Sequence, residues 1–508
     1  MEDAEGVLAS ALQAIAHRGE PKGFARVKHW PSAAVALGSN RLPIVGTSSG
    51  GQPMSSPVGR YHIVFNGEVF NFRDVLARLG DDGGPLPKAP DSDTAVLAAA
   101  IERWGPADAV RELAWEGAFL CVDDLTGELW AGRDHLGIKP LYWARTDHGY
   151  LWASEIKALV SHAVSPIEPL PPGTLARMPL RDTRPPEVST WWRAADHCAV
   201  DVDAPVTADR AKKLSDRLLQ LMTEAVQERV PEEPYAVTLS GGVDSSLILR
   251  LAHSAQSQVT AYLLHTDGSP DAPYARSLCE RLGIPLVTVQ ATPPEVLCDS
   301  LPDVVHAVES WEWQVVNHAA PMLALHRAIK ANGHRVVLTG EGADELFLGY
   351  TDPTGPAQNP AELADERLRR VLDLHRTNCR RLDRMSMRET LECRVPFLDR
   401  RVAEFALGLP PSLAVRDGIN KWVLRQAASR VLPREVAFRK KISFARGVGY
   451  DYGAGARASV FGPLPEDVHE TIPAEWRAAA RYPAERVFLR HFLANGYGNA
   501  TYLRRGSR

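Results

Sequence analysis

Apolar runs and helical patterns alternate through the second half of the chain. PYAVTL (234–239), VTAYLL (259–264), PLVTVQ (285–290) and RVVLT (335–339) predict strands. An opening helix is predicted over 208–230, and further helices from Ser245, over 272–282 and through 294–331. Strand–helix alternation predicts an α/β fold with a parallel sheet and right-handed crossovers. From residue 360 on the pattern is mostly helical, and DPTGPAQNP (352–360) reads as a mobile loop, because its Pro and Gly suit no regular element. The first 200 residues read differently. A short amphipathic helix over 4–16 places Val7, Leu8, Leu12 and Ile15 at helical spacing. Short strand-like runs follow at 33–37, 61–65, 118–122 and 150–154, with helices over 71–79 and 92–103 and turn clusters such as SSGGQP between. This predicts an α+β domain of packed antiparallel sheets over 1–200 and an α/β domain over 205–508. The Pro-rich stretch 164–186 and the segment 194–207 read as the linker.

Composition narrows the function classes. With 508 residues, 45% hydrophobic and 24% charged, the chain is ordinary folded protein of two or more domains. A formal net charge of -4 gives no field favouring nucleic acid. No apolar run approaches the ~20 residues of a membrane span. Glu2, Asp3 and Glu5 stand where a secretory signal carries positive charge, so a cytoplasmic protein is expected. None of the six cysteines forms a CxxC pair, and none precedes Cys121.

Two loops carry chemistry. Ser240-Gly241-Gly242-Val243-Asp244-Ser245-Ser246 follows a strand and opens a helix. Glycines let backbone N–H groups close on an anion, the helix start adds positive potential, and Ser240, Ser245 and Ser246 can donate to a pyrophosphate. Asp244 would repel phosphate unless it holds a magnesium ion. The second loop, Thr339-Gly340-Glu341-Gly342-Ala343-Asp344-Glu345, also follows a strand, and in parallel sheets ligands bind at those ends. Asp344 is then a second magnesium ligand, and Glu341 a general base near the reacting centre.

SGGVDSS together with GEGADELFLGY resembles the ATP-pyrophosphatase domain of the glutamine-dependent asparagine synthetase family, the B type. The resemblance covers nearly the whole chain. His17-Arg18-Gly19, Asn66-Gly67-Glu68-Val69-Phe70-Asn71, the run Arg133–Tyr142, Ser154–Leu159 and Pro172-Gly173-Thr174 match that family's N-terminal glutaminase domain in order. Arg384–Met387, Glu392–Asp399, Lys421–Arg425 and Arg439-Lys440-Lys441 match its synthetase half. The resemblance implies an Ntn-type domain of stacked antiparallel sheets, then an adenine nucleotide α-hydrolase-like domain. It implies ATP and Mg2+, and a carboxylic acid activated as an acyl-adenylate for attack by ammonia. Lys441 would neutralise phosphate charge, with Lys421 a second such lysine; Thr238, Leu239 and Leu264 align with positions lining the nucleotide pocket. Arg41 and Asp93 match the residues that hold glutamine's carboxylate and amine, and Asn66 and Gly67 match the oxyanion hole. A homodimer is left open.

Two departures bear on function. The family's nucleophile is an N-terminal cysteine, whereas this chain begins Met1-Glu2-Asp3, and by alignment on His17-Arg18-Gly19 roughly a dozen residues of the opening strand are missing. Either the true start lies upstream, or the enzyme takes free ammonia or another amine. In the acceptor segment, a gapless alignment puts Gln314, Val315 and Asn317 where the family has two threonines and an arginine, with Trp311 and Trp313 alongside. An acceptor other than aspartate follows: larger, more apolar and without a second carboxylate. The alternatives are a genuine asparagine synthetase with a truncated start, an intramolecular β-lactam-forming amide synthetase, and a non-catalytic nucleotide-binding homologue. A dinucleotide fingerprint at Gly453-Ala454-Gly455 is rejected, since no apolar strand precedes it.

Overall fold

A computed structural model describes residues 4–19, 25–30, 33–181, 184–199, 205–353, 359–440, 442, 447–448 and 472–505. The first 200 residues build antiparallel sheets. Six strands run in the order Glu187–Thr190, Thr174–Pro179, Glu128–Arg133, Trp115–Asp123, Tyr61–Val69 and Met54–Ser55. A three-stranded sheet (Gly149–Ala153, Tyr142–Thr146, Glu168–Pro169) and the pair Ala25–Trp30 with Ala33–Gly38 complete it. Alternation places Ile63, Phe65, Phe119 and Cys121 against the helix Asp93–Trp104 in one buried cluster. Ser92 caps that helix by accepting the Ala95 N–H.

The Pro-rich stretch 164–186 is not a linker. Thr174–Pro179 pairs on both sides, and Leu175 and Ala176 are buried. Its proline stands at the end of the strand, where a missing N–H is tolerated. Within 194–207, Ala194–His197 is a 3-10 turn. Residues 354–358 of the loop at 352–360 lie outside the described residues.

Beyond residue 205 the sheet is parallel, in the order Leu286–Gln290, Val259–His265, Tyr235–Thr238, Val336–Leu338, Glu392–Arg394. The last strand interrupts the stretch read as helical and adds an edge that a three-residue run did not announce. The chain runs outward from Tyr235–Thr238 in one direction and returns to Val336–Leu338 in the other. The order reverses between these two strands, where α/β sheets open a crevice.

Buried charges lock the two regions together. Arg18 pairs with Glu155 at 2.7 Å and with Asp383 at 2.9 Å. Glu309 accepts the Ile156 and Lys157 N–H groups at 3.0 and 2.7 Å and pairs with Arg384 at 3.0 Å. Arg384 also reaches the Ser154 carbonyl and Asp383. Burial would raise the Glu155 carboxyl, but Lys157 and Arg384 hold it well below its usual range. Several family-like motifs therefore serve the interface rather than a reaction. His135 donates from Nε2 to the Leu398 carbonyl at 2.9 Å, and its burial pushes the imidazole down to about 3, so it stays neutral.

Removing one partner from such a buried cluster leaves an uncompensated charge and is expected to cost about 3–5 kcal/mol. Arg384→Met should lower unfolding stability by that order in urea titration, whereas Lys212→Met, which breaks the exposed helical pair Lys212–Asp216, should change it by less than about 0.5 kcal/mol.

Candidate active site

Both loops at the sheet's reversal point face one cavity of about 640 Å³. Ser240, Gly241 and Gly242 turn the chain into the helix Val243–Ala255, with Gly242 at its N-cap. The Ser245 hydroxyl accepts the Ser240 N–H at 3.1 Å and fixes the turn. Thr238, Leu239, Ser240, Asp244, Ser245, Leu264, Thr339, Gly340, Glu341 and Asp344 all line the cavity. Ser246 is fully buried, and its Oγ has no hydrogen-bond partner. Gly340 lets the two loops touch: a Cβ there would lie 3.0 Å from Ser245 N and 3.1 Å from Asp244 Cβ.

Lys421 joins them. Its ammonium, fully buried, lies 2.6 Å from Asp244 Oδ2 and 2.5 Å from Asp344 Oδ1. The backbone of Lys421 sits at φ 53°, a left-handed conformation a lysine adopts only under constraint. That constraint is visible. Asn420 donates to the Gly349 carbonyl at 2.8 Å, and Arg425 donates to the Asn420 carbonyl and to those of Ala437 and Arg439. Gly349 must be glycine, because a Cβ would lie 1.9 Å from Asp344 Oδ1. Asp244 Oδ1 is buried without a hydrogen-bond partner. A free carboxylate oxygen beside a second carboxylate is a hard-oxygen donor set of the kind a magnesium ion takes.

Glu341 is held more tightly than a free base would be. It accepts from Arg381 at 3.0 Å and from Asn378 at 2.9 Å. Asn378 also donates to Glu345 at 2.9 Å, and Tyr350 donates to the same carboxyl at 3.1 Å. Burial, reinforced by Asp344 and Glu341, pushes Glu345 up to about 7. Neither Asn378 nor Glu345 was singled out from the sequence. Arg439 was missed as well: it donates to the Ser240 carbonyl and pairs with Asp271 at 2.6 Å, bracing the first loop from behind. Lys441 lies outside the described residues.

The acceptor residues separate. Gln314 lines the cavity, but Val315 and Asn317 are fully buried and do not. They lie on the helix Trp313–Ala331, whose cavity face carries Gln314, His318 and Met322, each four residues apart. A run of consecutive residues cannot share one face of a helix. Trp311 and Trp313 both line the cavity rather than merely filling core.

Arg41, Asn66, Gly67, Glu68 and Asp93 meet in a second cavity of about 210 Å³ in the N-terminal region. Arg41 donates to the carbonyls of Val45, Gly46 and Thr47. Asn66 lies against Arg18 and Ser154. Asp93 accepts the Val69 and Thr94 N–H groups at 3.1 and 2.7 Å; burial outweighs those bonds and pushes it up to about 6. Burial, with Glu392 and Asp93 nearby, also raises Glu68 well above its usual range. Among the described residues no cysteine lines this cavity. A small cavity lies between the two pockets. Its wall shares Lys139 with the N-terminal pocket and Glu341 with the large one.

Comparisons with known proteins agree along the chain. The sequence profile of the Glutamine amidotransferase domain matches residues 1–174, and that of Asparagine synthase matches 217–364 and 353–467. The chain is 31% identical over 434 residues to a glutamine-hydrolysing asparagine synthetase B of Escherichia coli, covering 82% of this chain and 75% of that protein. It is 28% identical over 538 residues to glutamine-hydrolysing asparagine synthetase 1 of Saccharomyces cerevisiae (93% and 90% covered). With the asparagine synthetase of Asparagus officinalis it shares 30% over 443 residues (83% and 72%).

Lys421→Met would leave Asp244 and Asp344 facing each other without a cation. A buried charge left without its partner is strongly destabilising, so the melting temperature at pH 7 should drop clearly below that of the parent protein. An unchanged melting temperature would contradict this account of the lysine.

Proposed function

Because the chain belongs to the glutamine-dependent asparagine synthetase family, we propose that it is an ATP-dependent amide-forming ligase that converts a carboxylic acid into an acyl-adenylate and transfers nitrogen to it. The observation that carries this reading is the convergence of the anion-binding turn, Asp244, Asp344 and Lys421 at the reversal point of the sheet. A carboxylate is a poor electrophile, and joining it to AMP gives it a good leaving group. The negative charge that develops sits on phosphate, so cations and N–H donors must dominate the site. The Ser240–Ser246 turn supplies donors, and Lys421 supplies a fixed positive charge. Asp244 and Asp344 would hold a magnesium ion, which neutralises phosphate charge when bound. In this reading Lys441 joins the same task. Glu341, oriented by Arg381 and Asn378, is in this reading the base that takes a proton from the incoming nitrogen.

Nitrogen enters from the N-terminal side. The pocket around Arg41 and Asp93 offers a guanidinium and a carboxylate to the two charged ends of glutamine. The small cavity between Lys139 and Glu341 supports passage of ammonia toward the large one. The acceptor in this reading is larger than aspartate, since the wall near Gln314 is built from Trp313, His318 and Met322 rather than from small polar groups.

Pyrophosphate release in the presence of ATP, ammonium and a panel of carboxylic acids tests the activation step. Asp244→Asn should lower that rate by at least about 10²–10³ with the fold intact; an unchanged rate would refute the metal–phosphate role. In the N-terminal pocket, Asp93 must be ionised to hold an ammonium. Glutamine affinity, measured by calorimetry, should therefore fall as pH drops through about 6, by up to ten-fold per unit, and Asp93→Asn should bind weakly with a flat profile.

A further inference from the structure

The large cavity extends past the carboxylate pair to a patch with its own chemistry. Trp311 is 1% exposed and lines the cavity, yet its indole N–H finds no acceptor. An indole nitrogen can only donate, and folded proteins keep few buried donors unpaired. Arg481 is solvent-exposed and lines the same cavity, and its guanidinium makes no hydrogen bond or ion pair with any described residue. Glu485, four residues further along, is already committed. It accepts the Arg481 and Tyr482 N–H groups at 2.7 and 3.1 Å and the Trp313 N–H at 3.0 Å. Those bonds tie the segment carrying Arg481 to the start of the helix Trp313–Ala331 and leave its side chain open to the cavity and to solvent. Aromatic side chains line the same cavity. Tyr482 and His318 lie 6.4 and 5.5 Å from the Trp313 ring.

A buried N–H donor, an exposed guanidinium on the same cavity and flanking rings make a subsite for an oxyanion on a planar body. We propose that Trp311 and Arg481 bind a second carboxylate at the far end of an extended, ring-bearing acceptor acid, whose other carboxylate is the one activated. This deepens the reading of the large cavity as the acceptor site and rests on it. It also replaces the expectation, read from Asn317, of an acid with a single carboxylate: the cation comes from Arg481, more than 160 residues further along the chain.

Phenylacetate and 4-carboxyphenylacetate differ only in that remote carboxylate and serve as the probe pair. Their affinities are measured by calorimetry in the presence of α,β-methylene ATP, which prevents turnover. The diacid should bind at least about ten-fold more tightly than the monoacid. Arg481→Gln and Trp311→Phe, the latter removing the N–H but keeping the ring, should each cut that advantage to about three-fold or less. Nucleotide affinity and phenylacetate affinity should stay unchanged, which a merely structural defect would not allow. Equal affinity of the two acids, binding of neither, or an advantage that survives both substitutions would overturn the subsite. Pyrophosphate release is read separately with the same acids. A diacid advantage without any pyrophosphate release would leave the subsite standing and remove the ligase reading; release without the advantage would do the reverse.

Discussion

One buried ammonium between two carboxylates governs the arrangement of the synthetase half. Asp244 and Asp344 belong to loops one hundred residues apart, brought together because the strand order of the parallel sheet reverses between Tyr235–Thr238 and Val336–Leu338. At that separation the carboxylates repel each other, and Lys421 converts the repulsion into a bridge. Holding the lysine there demands a left-handed backbone, a glycine at 349 and the Asn420–Arg425 scaffold. Much of the local sequence is thus committed to placing a single nitrogen atom.

The second constraint is the charged seam between the two regions. Arg18, Glu155, Glu309, Asp383 and Arg384 are all nearly inaccessible to water, so each depends on its neighbours for compensation. Such a seam tolerates little sliding. It holds the pocket around Arg41 and Asp93 at a fixed offset from the large cavity, with Lys139 and Glu341 marking the ends of the space between. Transfer of a small nitrogen species between separate sites needs this kind of rigidity, because a passage that opened to water would lose its contents.

Local patterns revealed the order of strands and helices and both loops that line the large cavity, since strand–turn–helix punctuation is written in neighbouring residues. What escaped was long-range or geometric. Thr174–Pro179 hides among prolines that mark its ends, and Glu392–Arg394 is too short to show alternation. Val315 and Asn317 adjoin Gln314 in sequence but turn away from it on the helix, so an aligned segment misnamed the acceptor contacts. Glu345 and Arg439 act through partners that only folding assembles. The run Ser154–Leu159, legible in the sequence only as a family match, bonds through its backbone to Glu309 of the second region.

The central claim is that a carboxylate oxygen attacks the α-phosphate of ATP at the reversal point of the sheet. Isotope tracing tests it directly: an acid that supports pyrophosphate release is labelled with ¹⁸O in its carboxylate and converted to amide with ATP and ammonium, and the products are analysed by mass spectrometry. The account predicts one ¹⁸O atom in the AMP formed for each amide. Label in inorganic phosphate, with ADP as the nucleotide product, would contradict it.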